Sequence, residues 1–97
     1  MNKLFKDPRG IFGIVIVPSR EVALQISEQI SFFGNSNNIR CIPVIGGTDY
    51  IHQKRRLEDI PHMIVGTPGR LYEQISKSEK IRKYLKNIEF VVLDEAD

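Results

Sequence analysis

Ninety-seven residues limit this chain to one small domain with little margin for a core. Its 14 basic and 12 acidic side chains leave a net charge of +2, so composition alone demands no polyanion and any such role must rest on where the charges sit. No apolar stretch approaches the roughly 20 residues of a membrane span, the Met1 to Lys6 segment lacks a signal-peptide core, and a lone Cys41 excludes an intrachain disulfide.

The first ten residues are polar and read as a loop. Ile11 to Val17 is an apolar run rich in Val and Ile, nearly continuous rather than alternating, as suits a strand buried on both faces. Arg20 to Phe33 follows with Val22, Ala23, Ile26, Ile30 and Phe33 at helical spacing; Ser19 is placed to cap its start and Gly34 to end it. Ile39 to Ile45 is the second strand and holds Cys41, read as a small buried thiol of a reducing compartment. Thr48 to Leu57 reads as a more polar helix, with Lys54-Arg55-Arg56 a solvated face. Met63 to Val65 makes a third strand. A helix then starts at Thr67-Pro68, with Thr67 as cap, proline at the first helical position, and Leu71 and Ile75 as its core stripe. Ser78 to Lys86 predicts one more helical segment capped by Ser78, before the last strand, Ile88 to Leu93. Strands alternating with helices imply parallel pairing and a layered α/β sheet.

Ligands of a parallel α/β sheet bind at the carboxyl ends of its strands, and the polar and Gly-rich residues fall there. Pro18-Ser19-Arg20-Glu21 follows the first strand, Gly46-Gly47-Thr48 the second, Gly66-Thr67-Pro68-Gly69-Arg70 the third. The first three strand ends each open a helix, so three sets of free backbone N–H groups are expected on one rim, ready for phosphate. Gly46, Gly47 and Gly69 allow close approach of a phosphodiester backbone, and Arg20 and Arg70 can add charge-assisted contacts. Singly, each has a plainer reading: a Gly-Gly turn, a Thr-Pro cap, a surface ion pair. Together on one rim they favour phosphate.

The fourth strand end carries adjacent carboxylates, Asp94 and Glu95. Charge emerging from an apolar strand calls for a cation or a basic partner. A hard divalent ion with a bound nucleotide answers that need: one carboxylate can hold the water shell of Mg²⁺ while its neighbour orients an attacking water. An ordinary acidic strand exit is the plain alternative.

These segments resemble the motifs of the DEAD-box RNA helicases. Pro18-Ser19-Arg20-Glu21-Val22-Ala23 resembles the family's motif Ia, usually Pro-Thr-Arg-Glu-Leu-Ala; Gly46-Gly47 resembles its GG motif, Thr67-Pro68-Gly69-Arg70 its motif Ib, and Val92-Leu93-Asp94-Glu95-Ala96-Asp97 its motif II. All four stand in family order and spacing. Ser19 in place of Thr keeps the hydroxyl cap.

The resemblance implies an ATP-dependent enzyme that unwinds or remodels RNA, and assigns residues 1–97 to part of the first of two RecA-like domains. By that likeness Asp94 binds Mg²⁺ through water, Glu95 positions the hydrolytic water, and Asp97 couples the nucleotide site to the RNA-closed state. Pro18, Ser19, Arg20, Gly46, Gly47, Thr67, Gly69 and Arg70 hold the RNA sugar-phosphate backbone without reading bases. The family's Gly-x-x-x-x-Gly-Lys-Thr phosphate loop, its adenine-reading Q motif, its Ser-Ala-Thr motif and its second domain are missing from these 97 residues. The chain is therefore expected to be a fragment that does not hydrolyse ATP alone, with Ile88 to Leu93 left as an exposed apolar edge. A truncated, non-catalytic RNA-binding product is the alternative, and an unrelated α/β binding domain a remote third. The cadence Pro61-His62-Met63-Ile64-Val65-Gly66-Thr67 resembles the ribosome-biogenesis branch, which implies a nuclear, nucleolar home, with the cytoplasm as the alternative.

Overall fold

Within the strands, side chains alternate between two separate cores. Ile14, Ile42, Val44 and Ile64 belong to one, Val15, Cys41, Ile45 and Val65 to the other, as the two-residue period of a strand requires. Both faces of the sheet at β1, β2 and β3 are therefore covered, and this is why those apolar runs read as continuous rather than alternating.

The computed structural model describes residues 11–34, 36 and 38–94. The expected loop over the first ten residues, and Glu95, Ala96 and Asp97 with their expected roles, lie outside them. In chain order the elements are β1 (Gly13–Ile16), α1 (Arg20–Gly34), β2 (Cys41–Val44), α2 (Tyr50–Glu58), β3 (Met63–Gly66), α3 (Pro68–Ser76), α4 (Glu79–Tyr84), a 3₁₀ turn (Leu85–Asn87) and β4 (Phe90–Leu93). The four strands form one parallel sheet in the order β2-β3-β1-β4. Pro43 sits on the edge strand β2, where its missing N–H removes least from the ladder.

Helix α1 lays Val22, Ala23, Ile26 and Ile30 against one face of the sheet. Leu57 of α2, Leu71 and Ile75 of α3, and Ile81 and Tyr84 of α4 cover the other. The expected α/β sheet with flanking helices is what forms. Ser19 caps α1, its hydroxyl accepting from Val22 N–H at 3.3 Å, and Ser78 caps α4, accepting from Ile81 N–H at 3.3 Å. Gly34 does end α1, for a different reason than the left-handed turn usual there. Among the described glycines only Gly47 has positive φ; at Gly34 a Cβ would lie 2.7 Å from the Ile39 carbonyl oxygen. Close packing of the chain's return is what requires glycine.

The turn from α2 into β3 is tied down from outside. Ile60 adopts φ +55°, a costly conformation for a β-branched side chain. The Arg40 guanidinium holds it, donating to the carbonyls of Asp59 and Ile60 at 2.8 and 2.7 Å and to the Asp59 carboxylate at 2.8 Å. Among the described residues strand β4 pairs only with β1, and Phe90, Val91, Val92 and Leu93 are all exposed. The expected apolar edge is present.

Candidate nucleic-acid and nucleotide interface

Register fixes the geometry of the rim. Ile16 is level with Gly66 and with Leu93, and Gly66 is level with Val44. Hydrogen bonds extend the ladder one step further: Val17 N–H donates to Gly66 at 3.0 Å, Thr67 N–H to Val44 at 3.1 Å, and Asp94 N–H to Ile16 at 2.9 Å. The four strand ends therefore stand side by side. Along the rim the order is Gly46-Gly47, Thr67 to Arg70, Pro18 to Arg20, then Asp94. Three inter-strand steps separate its two ends, about 15 Å, with the glycines at one end and the acidic residue at the other.

At the glycine end, Gly47 takes φ +81° in the turn after β2. Above it lies Arg20, which reaches across the end of β3; a Cβ on Gly47 would be 2.5 Å from Nη1 of that guanidinium. Gly46 and Gly69 are different. A Cβ on either would meet nothing within 4 Å, and neither has positive φ. Their lack of a side chain serves no packing or turn requirement inside the fold, although Gly69, in the first turn of α3, costs helix stability. What the two glycines do provide is bare main chain facing outward.

The helix starts are not equivalent. Thr67 makes no side-chain cap bond, so the first-turn N–H groups of α3 take no hydroxyl from it. At α1, Ser19 both accepts from Val22 and donates to Glu21 at 3.0 Å. The Glu21 backbone N–H, that hydroxyl and the Arg20 charge hold the Glu21 carboxyl below its ordinary pKa. At α2 the expectation of free N–H groups fails. Asp49 is the cap, and its carboxylate accepts from Ile51 and His52 N–H at 2.9 and 3.1 Å. An internal anion already occupies that helix end, and at α1 the Ser19 hydroxyl and the Glu21 carboxyl already take N–H groups, so α3 is the rim helix whose start carries no side-chain cap.

Arg70 is turned into the fold. Its side chain is 13 % exposed. It donates to Gln53 Oε1 at 3.1 Å, approaches the Thr48 carbonyl at 3.5 Å, pairs with Glu73 at 3.2 Å, and lies over the Tyr50 ring at 5.4 Å. Pro18 is exposed and Thr67 half-buried at the same rim. Sequence reasoning missed Asp49, Gln53 and Gly66. An Asp directly after Gly46-Gly47-Thr48 is a usable signal for a capped helix; Gly66, where a Cβ would run into the Val44 carbonyl and lie 2.9 Å from Leu71, has none.

At the acidic end, Asp94 is half-buried where β4 leaves the sheet, beside the start of the Pro18 segment. Among the described residues no group of three His, Cys, Asp or Glu side chains could hold a metal. A hard ion that keeps most of its waters needs only one or two carboxylates plus phosphate oxygens, and the Asp94 carboxylate at a strand end fits that demand. No described helix is long and apolar enough to cross a membrane.

The DEAD/DEAH box helicase family model matches residues 1–97. The chain is 46% identical over 98 residues to ATP-dependent RNA helicase DBP8 of Kluyveromyces lactis, covering 100% of this chain and 22% of that protein. It is 45% identical over 97 residues to the probable ATP-dependent RNA helicase ddx49 of Dictyostelium discoideum, covering 100% of this chain and 19% of that one. Its fold matches DEAD-box helicase Mss116 bound to ssRNA and UDP-BeF with a TM-score of 0.83, at 24% identity, over 96% of this chain and 19% of that one. The chain spans about a fifth of the length of the curated relatives it matches. With the family model matched from the first residue to the last, the chain belongs to the DEAD/DEAH box helicase family.

Proposed function

We propose that the protein carrying this chain is an ATP-dependent RNA helicase, and that these residues, part of its first RecA-like domain, grip the RNA backbone at one end of the rim and serve ATP hydrolysis at the other. The observation that carries the reading is the pair of open glycines, Gly46 and Gly69, on the same rim where the Arg20 guanidinium lies over Gly47. Bare main chain and a cation suit a sugar-phosphate backbone and read no bases. The N–H groups at the start of α3, which has no side-chain cap, add a positive dipole end. Pro18, Ser19, Gly47, Thr67 and Arg70 shape this surface. The matched relatives are named ATP-dependent RNA helicases, which supports the same assignment.

Asp94 is proposed to hold the water shell of Mg²⁺, which when bound neutralises charge on the nucleotide phosphates. Glu95 orients the attacking water and accepts its proton, and Asp97 couples the nucleotide site to RNA closure. Asp94 is fastened through its N–H to Ile16, two residues before Pro18. A shift at the nucleotide end therefore has a short path to the RNA end, through one backbone hydrogen bond and two residues of chain. The proposed home is the nucleolus, in ribosome biogenesis, on the cadence of Pro61 to Thr67; a tagged protein confined to the cytoplasm would contradict it.

The test is steady-state ATP hydrolysis by the full-length protein, with and without single-stranded RNA. Turnover should rise with RNA and be indifferent to base sequence. Turnover that ignores RNA contradicts the reading.

A further inference from the structure

Gln53 is 5 % exposed in α2. A buried amide is costly unless both its ends are satisfied, and both are. Its Nε2 donates to Thr48 Oγ1 at 2.8 Å and to the Ile45 carbonyl at 3.2 Å, with Pro43 at 3.5 Å. Its Oε1 accepts from Arg70 Nη1 at 3.1 Å and from Gln74 Nε2 at 3.2 Å. The donor side thus holds the chain around Gly46-Gly47, and the acceptor side holds α3 just after Gly69. A side-chain amide can donate from one end and accept at the other. The direct contacts from Arg70 to the Thr48 carbonyl are longer, at 3.5 Å, so Gln53 is the tighter link between the two segments.

We infer that Gln53 is a positioning residue for RNA. It fixes the separation between the Gly46-Gly47 turn and the first turn of α3, through Thr48 and Arg70, so that both bare glycines face the same strand of backbone. This role rests on the RNA-binding reading above. Gln53 itself does not touch RNA. Arg70, with its guanidinium turned inward, acts chiefly as the other half of the link. Gln74 supports the amide from behind; its own Oε1 has no hydrogen-bond partner among the described residues, so it is the less committed member.

The experiment uses the full-length protein and the variants Gln53→Met, Arg70→Met, their combination, and Thr48→Val, which removes at an exposed site the hydroxyl that accepts from Gln53 and donates to the Ile45 carbonyl at 2.9 Å. Two readouts are taken. Amide hydrogen exchange without RNA reports whether residues 45–49 are held. Equilibrium binding of single-stranded RNA and, separately, of nucleotide reports what the hold is for.

Gln53→Met should speed exchange at residues 45–49 and weaken RNA binding about tenfold, the factor for one or two lost buried hydrogen bonds. Nucleotide affinity without RNA should not move, which a general loss of folding would not permit. The double variant should bind RNA no more weakly than Arg70→Met alone, and Thr48→Val should act in the same direction by a smaller factor. Unchanged exchange in Gln53→Met, or RNA binding equal to wild type, overturns the role while the RNA-binding reading stands. Faster exchange in a protein whose wild type binds no RNA overturns the RNA-binding reading and this role with it.

Discussion

The Arg20 guanidinium lies over the α-carbon of Gly47, so close that a methyl group there would be 2.5 Å from Nη1. The two residues come from the ends of β1 and β2, which are not neighbours; β3 lies between them. Gly47 also needs its φ of +81°. Gly47→Ala should therefore do two things: cost about 1 kcal/mol of stability through a left-handed alanine, and push Arg20 off the turn. Gly47→Asn tolerates the backbone better but displaces Arg20 equally. Urea unfolding should separate the two variants, whereas RNA binding should fall in both. RNA affinity that follows stability rather than side-chain bulk would contradict this.

Glu95 lies outside the described residues, and its proposed role rests on motif II and the rim position of its neighbour Asp94. Glu95→Gln removes the proposed base and keeps the shape. In the full-length protein it should lower ATP turnover by at least about a hundredfold, the lower end of what a general base supplies, while leaving RNA binding intact. Undiminished turnover would remove Glu95 from the mechanism.

His62 gives the fold a pH dependence of defined sign. It is 7% exposed, and its Nδ1 accepts from the Arg40 backbone N–H at 3.0 Å. Burial first, and the Arg40 charge second, push its pKa below the ordinary 6.5. The folded state thus binds this proton less readily than the unfolded chain. Stability contributed by neutral His62 is fully present above pH 6.5, and falls as pH drops below that value toward the lower folded pKa. Urea midpoints at pH 7.5 and 5.5 should differ more in wild type than in His62→Gln, which keeps an acceptor and does not titrate. An equal difference in both would contradict the assignment.

Much of this fold was legible in the sequence because the signals are local. Ser19 and Ser78 cap the helices they were expected to cap, and the Val- and Ile-rich runs do form the strands. What was missed depends on tertiary neighbours. The carboxylate of Asp49 closes the α2 start that spacing suggested was open, because the cap is two residues beyond Gly47 rather than on the Gly-Gly turn itself. Gln53 looks like one more polar residue of a polar helix until the order β2-β3-β1-β4 brings α3 beside it. Arg70 looks like a free cation in one dimension and is enclosed in three. The reason for Gly66 lies in the Val44 carbonyl on a different strand.

The central claim is that bare main chain at the glycine end of the rim exists to meet RNA, and Gly69→Ala tests it most directly. The fold has room for that methyl group, and alanine in a helical turn should stabilise by about 0.5–1 kcal/mol. Thermal unfolding and single-stranded RNA binding of the full-length variant should therefore move in opposite senses, with stability unchanged or raised and RNA affinity lowered. RNA affinity equal to wild type in a protein of equal or greater stability would contradict the account.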